Sequence, residues 1–340
     1  MPSKAAVPAP RSLLPVLAAV LIALLIGACG TSAKPRARTA AGADRADRSG
    51  PTLSALTVSS LGSLPAAVED AAAAPLPGGR MALLGGIDSA QLSTDSILVL
   101  DGADATPAGT LPLPQHDAQA ATLGGDVYVF GGGQVASYDH ILAYDPASAS
   151  TTQVGSLPTP ASDVAVASIG DTAYIVGGYT GASWLDTIIA WSPGGGPRVV
   201  AHLPVGLRYA AVAAAGRRLI IAGGTQTSAV SDRIYSFDPA TGAVTAIGRL
   251  PSPLTHASAV FLDGRVVVVG GRRQADGEQT NEILAIDPST GAVSPIGQLP
   301  QPLSDAAVGL SGGRVVVAGG DDGNGPQSAV LALTPHVRPG

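Results

Sequence analysis

Six polar residues recur along the chain at intervals of 46–49 residues, and four of them are aspartates. If these positions meet on one axis, their carboxylates can bind Ca²⁺ or another hard cation, because such ions prefer oxygen ligands. The same side chains can hold a cationic or polyhydroxylated ligand, and an imidazole beside a carboxylate can transfer protons. The six positions are Asp70, Asp117, Asp163, Tyr209, His256 and Asp305.

A structural explanation competes with these functional ones. An aspartate at the start of a strand often accepts a hydrogen bond from its own backbone and so caps a turn. The recurrence of Asp can therefore belong to the repeat itself. Tyr209 and His256 interrupt the aspartate pattern, which makes them the better candidates for a binding or catalytic role.

Aromatic side chains concentrate near one another, although aromatic residues are only 4% of the chain. Tyr138, Tyr179 and Trp184 follow two of the glycine pairs described below. Such rings can stack on sugars, or they can simply pack between neighbouring loops. Arg272 and Arg273 occupy the corresponding loop of a later repeat, where they can hold an anion or remain solvated.

The elements that position these residues are set by a repeated pair of glycines. The pairs begin 46, 46, 46, 47 and 49 residues apart, which predicts a repeat architecture. They lie at 85–86, 131–132, 177–178, 223–224, 270–271 and 319–320.

Each repeat has the pattern of four short antiparallel strands. A short apolar run such as 266–269 ends at the glycine pair, and a second apolar stretch precedes it across a turn, as at Asp263-Gly264. A third strand ends in turns such as 238–242, where Asp, Pro and Gly each favour the turn geometry. A fourth strand stops at a Leu-Pro pair, because proline cannot donate to a ladder.

This pattern resembles the kelch-repeat family over residues 52–336. The resemblance implies an all-β fold, a six-bladed β-propeller with four-stranded antiparallel blades. We expect residues 53–64 to complete the C-terminal blade as its fourth strand, which removes exposed edges. The chain departs from the family in having only two tryptophans, Trp184 and Trp191, where outer strands of kelch blades usually carry one.

The first 29 residues are expected to be a lipoprotein signal peptide. Lys4 and Arg11 precede an apolar stretch at 13–26, which is short for a membrane span. The stretch ends in Ile-Gly-Ala-Cys, which resembles a bacterial lipobox with Cys29 as the lipidated residue; a chance cysteine in an ordinary signal peptide is the alternative. Residues 30–51 are polar and aperiodic and are expected to be a disordered tether.

The charge of the chain, its cysteine content and its motifs argue against several possible functions. The chain has a net charge of −6, and its first 51 residues carry seven basic and two acidic residues, so the propeller is near −11 and nucleic acid is not an expected partner. Cys29 is the only cysteine, so the resemblance to galactose oxidase, which has a Cys-linked copper site, stops at the fold. Gly309 to Gly313 matches a nucleophile motif but falls in a predicted hairpin.

The sequence therefore predicts a membrane-anchored, extracytoplasmic propeller whose loop face binds a protein partner or a cell-envelope glycan. One alternative is a carbohydrate-active enzyme, similar to kelch-type mutarotases, that uses His256 and Asp305. Another is a sensor in which the acidic positions bind a metal such as calcium. No cofactor is expected otherwise, and no catalytic residue is assigned.

Overall fold

The protein is described by a computed structural model that covers residues 52–274 and 277–338. These residues form strands and no helix, as the all-β prediction requires, and within them no helix could cross a membrane. The predicted signal peptide, Cys29 and the tether lie outside the described residues. The strands are, in chain order, β1 (Thr52–Ser63), β2 (Val68–Glu69), β3 (Ala72–Leu76), β4 (Arg80–Leu84), β5 (Ile87–Asp88), β6 (Ser96–Asp101), β7 (Asp104–Thr110), β8 (His116–Leu123), β9 (Asp126–Gly133), β10 (His140–Asp145), β11 (Ser150–Ser156), β12 (Ala165–Ile169), β13 (Thr172–Val176), β14 (Thr187–Trp191), β15 (Arg198–His202), β16 (Ala211–Ala215), β17 (Arg218–Ala222), β18 (Arg233–Asp238), β19 (Ala243–Arg249), β20 (Ser258–Leu262), β21 (Arg265–Val269), β22 (Arg272–Gln274), β23 (Gly277–Gln279), β24 (Glu282–Ile286), β25 (Val293–Gln298), β26 (Ala307–Ser311), β27 (Arg314–Ala318) and β28 (Ala329–Arg338).

The strands form six four-stranded antiparallel sheets, which are the six predicted blades of a β-propeller. In chain order the blades are β3-β4-β6-β7, β8-β9-β10-β11, β12-β13-β14-β15, β16-β17-β18-β19, β20-β21-β24-β25 and β26-β27-β28-β1. Two short ribbons, β2-β5 and β22-β23, lie outside the blades. The sixth blade takes its outer strand from the N-terminal side, because β1 pairs antiparallel with β28 from Thr52 opposite Arg338 to Ser63 opposite Ala329.

Every blade has a register shift between its third and fourth strands. Such a bulge bends the strand and increases its twist, which suits the outermost strand of a radial blade. The shifts occur at Ser96/Leu98, Ile141/Leu142, Ile188/Ile189, Ile234/Tyr235, Ile283/Leu284 and, in blade six, Ser60/Gly62.

The glycine pairs are required by the link that joins each blade to the next. Gly177 has a φ of +63°, and a Cβ there would overlap the carbonyl oxygen of Leu207 in the following link. The amide of Gly178 donates to that same carbonyl at 2.8 Å. The other five pairs repeat both contacts, and the pair of blade six meets Val68 in the link to blade one. Glycine at both positions therefore lets the link pass close to the inner strands.

The apolar core lies between neighbouring blades. For example, Leu84 and Ile97 of blade one cluster with Val129 and Leu142 of blade two, and all are at most 1% exposed. The predicted turns also occur, since the Asp238 carboxylate accepts from the amide of Ala240 at 3.0 Å. The links and the loops after the glycine pairs share one face, here called the loop face, because each blade starts and ends there.

Candidate functional site

The six recurring residues predicted from the spacing form a closed backbone ring, here called the axial ring. Each ring amide donates to the ring carbonyl of the preceding blade at 2.9–3.2 Å, and the amide of Asp70 closes the ring by donating to Asp305 at 3.0 Å. All six residues have left-handed φ values of 53–57°. The ring members are Asp70, Asp117, Asp163, Tyr209, His256 and Asp305.

The left-handed backbone accounts for the abundance of aspartate in the ring. Asp, Asn and His are enriched several-fold in this conformation, because a short polar side chain compensates locally. Aspartate therefore recurs because each ring position has a left-handed backbone. The turn-capping hydrogen bond suggested by the sequence is not needed to explain it. Tyr209 has the least favourable backbone conformation of the six, since a bulky residue rarely adopts a left-handed φ. Backbone strain of this kind clusters at functional regions.

Ring side chains are held by neighbouring side chains. Asp163 accepts from the Nη1 atom of Arg208 at 3.0 Å, and the hydroxyl of Tyr209 donates to Asp117 at 3.1 Å. The Oδ2 atom of Asp305 accepts from Arg272 at 2.5 Å and from the hydroxyl of Ser304 at 2.6 Å. The Asp305 carboxylate is thus committed to an ion pair, which argues against a free acid–base role.

Burial and crowding of like charges control the protonation of the ring. Burial, and then the carboxylates of neighbouring ring aspartates, raise the pKa of Asp70 and Asp117 well above the usual range. Burial lowers the pKa of His256 to about 4, so this imidazole is neutral at pH 7. The His256 ring stacks on Tyr209 with centroids 3.7 Å apart. A neutral, stacked imidazole is a weak general base.

The axial ring encloses a cavity of about 120 Å³. Sites for small molecules usually measure about 300–1,000 Å³, so this cavity suits a few water molecules better than a sugar. No group of three or more His, Cys, Asp or Glu side chains within the described residues is arranged to hold a metal ion. The geometry therefore gives the metal-sensor hypothesis no support.

The predicted aromatic residues separate into two groups. Tyr179 and Trp184 lie together, with ring centroids 5.0 Å apart. Tyr138 lies in blade two, 5.0 Å from the ring of His140, and its hydroxyl donates to the carbonyl of Pro114 at 3.4 Å. The aromatic cluster expected on the loop face therefore contains Tyr179 and Trp184, with Tyr138 at a separate place.

Arg208, which the sequence reasoning did not select, connects the axial ring with the loop face. Its guanidinium carbon lies 4.9 Å from the ring centre of Tyr179, 5.4 Å from that of Trp184 and 5.2 Å from that of Tyr209. One terminal nitrogen pairs with Asp163 of the axial ring. The only signal in the sequence was its position, directly before ring residue Tyr209.

The two neighbouring arginines of blade five have different partners. Arg272 pairs with Asp305 at 2.5 Å and Asp321 at 3.2 Å, and its side chain is 19% exposed, so it is a structural cation and not the solvated charge considered above. Arg273 contacts Glu278 and Glu282 at 3.8 and 3.4 Å. They differ because successive residues of a strand, here β22, point to opposite sides.

A second cavity, here called the loop-face cleft, lies beside this cluster and measures about 590 Å³. Its volume falls within the range of ligand sites. The cleft is lined by Trp184, Arg208, residues 225–230, Pro253, Arg273 and Gln274. It draws on blades three, four and five.

Comparisons with known proteins support the kelch-type fold. Residues 253–300, in blade five, match the model described as "Kelch motif". The solved structure of a protein named YjhT superposes with a TM-score of 0.70 and 15% identity, covering 81% of this chain and 99% of that one. No curated protein matches the chain. The chain is a six-bladed β-propeller with a Kelch motif, as the resemblance predicted.

Proposed function

We propose that this protein is a lipid-anchored, extracytoplasmic binding scaffold that docks a protein partner on its loop face. Recognition by loops on a rigid β-framework is a common use of such folds. The observation that carries the proposal is the placement of exposed apolar side chains.

The most exposed large apolar side chains among the described residues lie on the loop face of blades one and two. They are Val135, Leu92 and Leu113, with exposed fractions of 98%, 61% and 49%. We call these three residues the apolar patch. Exposed apolar side chains that share one surface are typical of protein–protein interfaces.

The loops that carry the apolar patch are joined to one another. The hydroxyl of Ser93, beside Leu92, is 2.9 Å from Nδ1 of His116, the first residue of β8 after the link that contains Leu113. Tyr138, in the loop of Val135, donates to Pro114 in that same link. The two loops and the link that carry the three apolar side chains are therefore connected to one another.

A protein partner fits the loop face better than a stacked sugar does. Stacking on a sugar requires a free aromatic face, and the Arg208 guanidinium already lies over one face of the Tyr179 and Trp184 rings. The axial cavity is too small for a sugar, and Asp305 is ion-paired. These observations weigh against the glycan and mutarotase alternatives.

Membrane anchoring is supported by the N-terminal sequence. The basic residues, the apolar stretch and Cys29 have the order of a lipoprotein signal, and the rest of the chain contains no other cysteine. To test this, the full-length protein and Cys29→Ser are produced in a bacterial host and fractionated. Retention of the Cys29→Ser protein in the membrane fraction, at the wild-type level, would refute lipid anchoring through this residue.

The docking proposal is tested by substituting the apolar patch. The measurement is the amount of partner protein that is chemically crosslinked to the propeller. We expect the double substitution Val135→Asp and Leu92→Asp to reduce this amount at least tenfold, because charged side chains oppose burial at an interface. The matched control is Val154→Asp with Val199→Asp, which changes exposed valines on outer strands. Equal capture by both double variants would contradict the proposal.

A further inference from the structure

Three buried N–H donors without a hydrogen-bond partner belong to residues that line the loop-face cleft. They are Nε1 of Trp184, Nε of Arg208 and Nε of Arg273. Each is shielded from solvent, and an unpaired buried donor is destabilising because it has lost its hydrogen bonds to water. Three residues of one cleft therefore retain unused hydrogen-bond donors.

The two arginines keep the same atom unpaired. Arg208 directs a terminal nitrogen to Asp163, and Arg273 directs both terminal nitrogens to Glu278 and Glu282. Their side chains are 28% and 40% exposed, so part of each arginine side chain is open to solvent.

The side chains that line the cleft include two arginines, each of which also contacts acidic neighbours outside the lining. Among its described lining residues two are basic and none is acidic, although the propeller as a whole is acidic. Gln226, Ser228 and Gln274 add polar groups to the lining. A ligand that brings oxygen acceptors and negative charge would satisfy the three donors.

We propose that the loop-face cleft binds a side-chain carboxylate from an acidic segment of the protein partner. A carboxylate is planar and accepts two parallel hydrogen bonds from an arginine, which matches the Nε edge of a guanidinium. The cleft shares the loop face with the apolar patch, so one partner can contact both. The inference rests on the proposed function, since it assigns part of the same partner.

The cleft is tested by fluorescence anisotropy with the full-length protein and a fluorescein-labelled oligoglutamate peptide. An oligoglutamine peptide of equal length is the reference. We expect oligoglutamate to bind at least tenfold more tightly and its affinity to fall with added salt, because screening weakens exposed charges. Equal affinity for the two peptides would overturn the proposal.

Variants assign the binding to the cleft. Arg273→Gln is expected to weaken oligoglutamate binding at least tenfold, and Trp184→Phe several-fold, because each removes a donor. The matched control is Arg265→Gln, which removes one positive charge from a hairpin on the opposite face, where Arg265 pairs with Asp287. Wild-type affinity in Arg273→Gln, or an equal loss in Arg265→Gln, would refute the assignment.

Competitors separate the sources of negative charge. Free glutamate is expected to displace the peptide at lower concentration than galacturonate or inorganic phosphate. The opposite order would assign the cleft to an acidic sugar or a phosphate and overturn the peptide proposal. If the apolar-patch variants keep full partner capture while these peptide results hold, the docking surface is wrong and the carboxylate site stands.

Discussion

The axial ring and the loop-face cleft are built from adjacent residues of the same links and loops, but their polar groups are used differently. In the ring, carboxylates face cations and hydroxyls of the protein, around a cavity of about 120 Å³. The cleft measures about 590 Å³, and three donors of its lining residues have no partner. The ring retains two unpaired atoms of its own, Oδ1 of Asp117 and Nδ1 of His256.

This difference shows that the recurrence of a residue along a chain can have a purely structural cause. The ring positions recur because six blades need the same left-handed backbone and the same amide-to-carbonyl contact. The cleft residues do not recur, since Trp184, Arg208 and Arg273 each occur in one blade. The groups that we propose for recognition therefore lie where the repeats differ.

The largest expected effect comes from removing the charge of Arg272, which pairs with Asp305 of the axial ring. Arg272→Gln is expected to lower the free energy of unfolding by about 3–5 kcal/mol, because it leaves buried Asp305 without its charge partner. Urea denaturation measures the loss. Arg249→Gln is the control, since its pair with Asp232 is exposed and should contribute about 0–1 kcal/mol.

Arg272→Gln is also expected to leave oligoglutamate affinity unchanged as long as the protein is folded. If the variant is as stable as Arg249→Gln, the ring is not held by its ion pairs. The contrast with the cleft would then be wrong.

A smaller effect separates the two arginines that line the cleft. Arg208→Gln is expected to weaken oligoglutamate binding and to lower the free energy of unfolding by about 1–3 kcal/mol, because Asp163 loses its partner. Arg273→Gln is expected to weaken binding alone, since Glu278 and Glu282 remain 61% and 37% exposed to water. Equal stabilities of the two variants would show that Arg208 does not connect the regions.

The smallest expected effect is a shift in melting temperature that has opposite signs for substitutions at two ring aspartates, Asp117 and Asp163. Because folding raises the pKa of Asp117, the folded protein binds more protons than the unfolded chain, and stability falls as the pH rises above about 4. Asp117→Asn does not ionise, so it should melt a few degrees higher at pH 7, with a gain that shrinks towards pH 4. Asp163→Asn should melt lower at pH 7, because Arg208 loses its carboxylate.

His256 also makes the folding stability depend on pH in this range, but with the opposite sign. Its folded pKa of about 4 lies below the unfolded value of about 6.5, so its contribution is present above pH 6.5 and is lost as the pH falls towards 4. The melting temperatures of wild type and both variants are measured by differential scanning calorimetry at each pH. Because all three proteins contain His256, its contribution is removed when they are compared at the same pH. A lower melting temperature for Asp117→Asn at pH 7 would contradict the assigned burial of its charge.

The fold could be predicted because its signals are local and repeated. Each glycine pair serves a contact inside one repeat and its link, so the spacing, the strand pattern around it and the resemblance to kelch repeats together indicated the blades. The position of the axial ring followed by counting back from each pair, since the same number of residues connects them in nearly every blade. The turn at Asp238 was equally local.

The cleft could not be predicted in this way because it depends on contacts between different blades. Nothing in the order of residues places Arg208 over Tyr179 and Trp184, which lie 24–29 residues before it in another blade. Arg272 and Arg273 looked alike in the sequence, and the short ribbon β22-β23 decided which one faces the axial ring. The exposure of Val135, Leu92 and Leu113 likewise required folded loops.

The repeat, the all-β blades, their number and the positions of the axial ring could be read from the chain, in part through its resemblance to kelch repeats. They could be read because backbone demands at glycine, proline and left-handed positions act within a few residues. Tertiary structure alone decided which charges are paired, which donors lack partners and which apolar side chains remain exposed. Those properties depend on distances between side chains from separate blades, and such distances arise only when the blades pack.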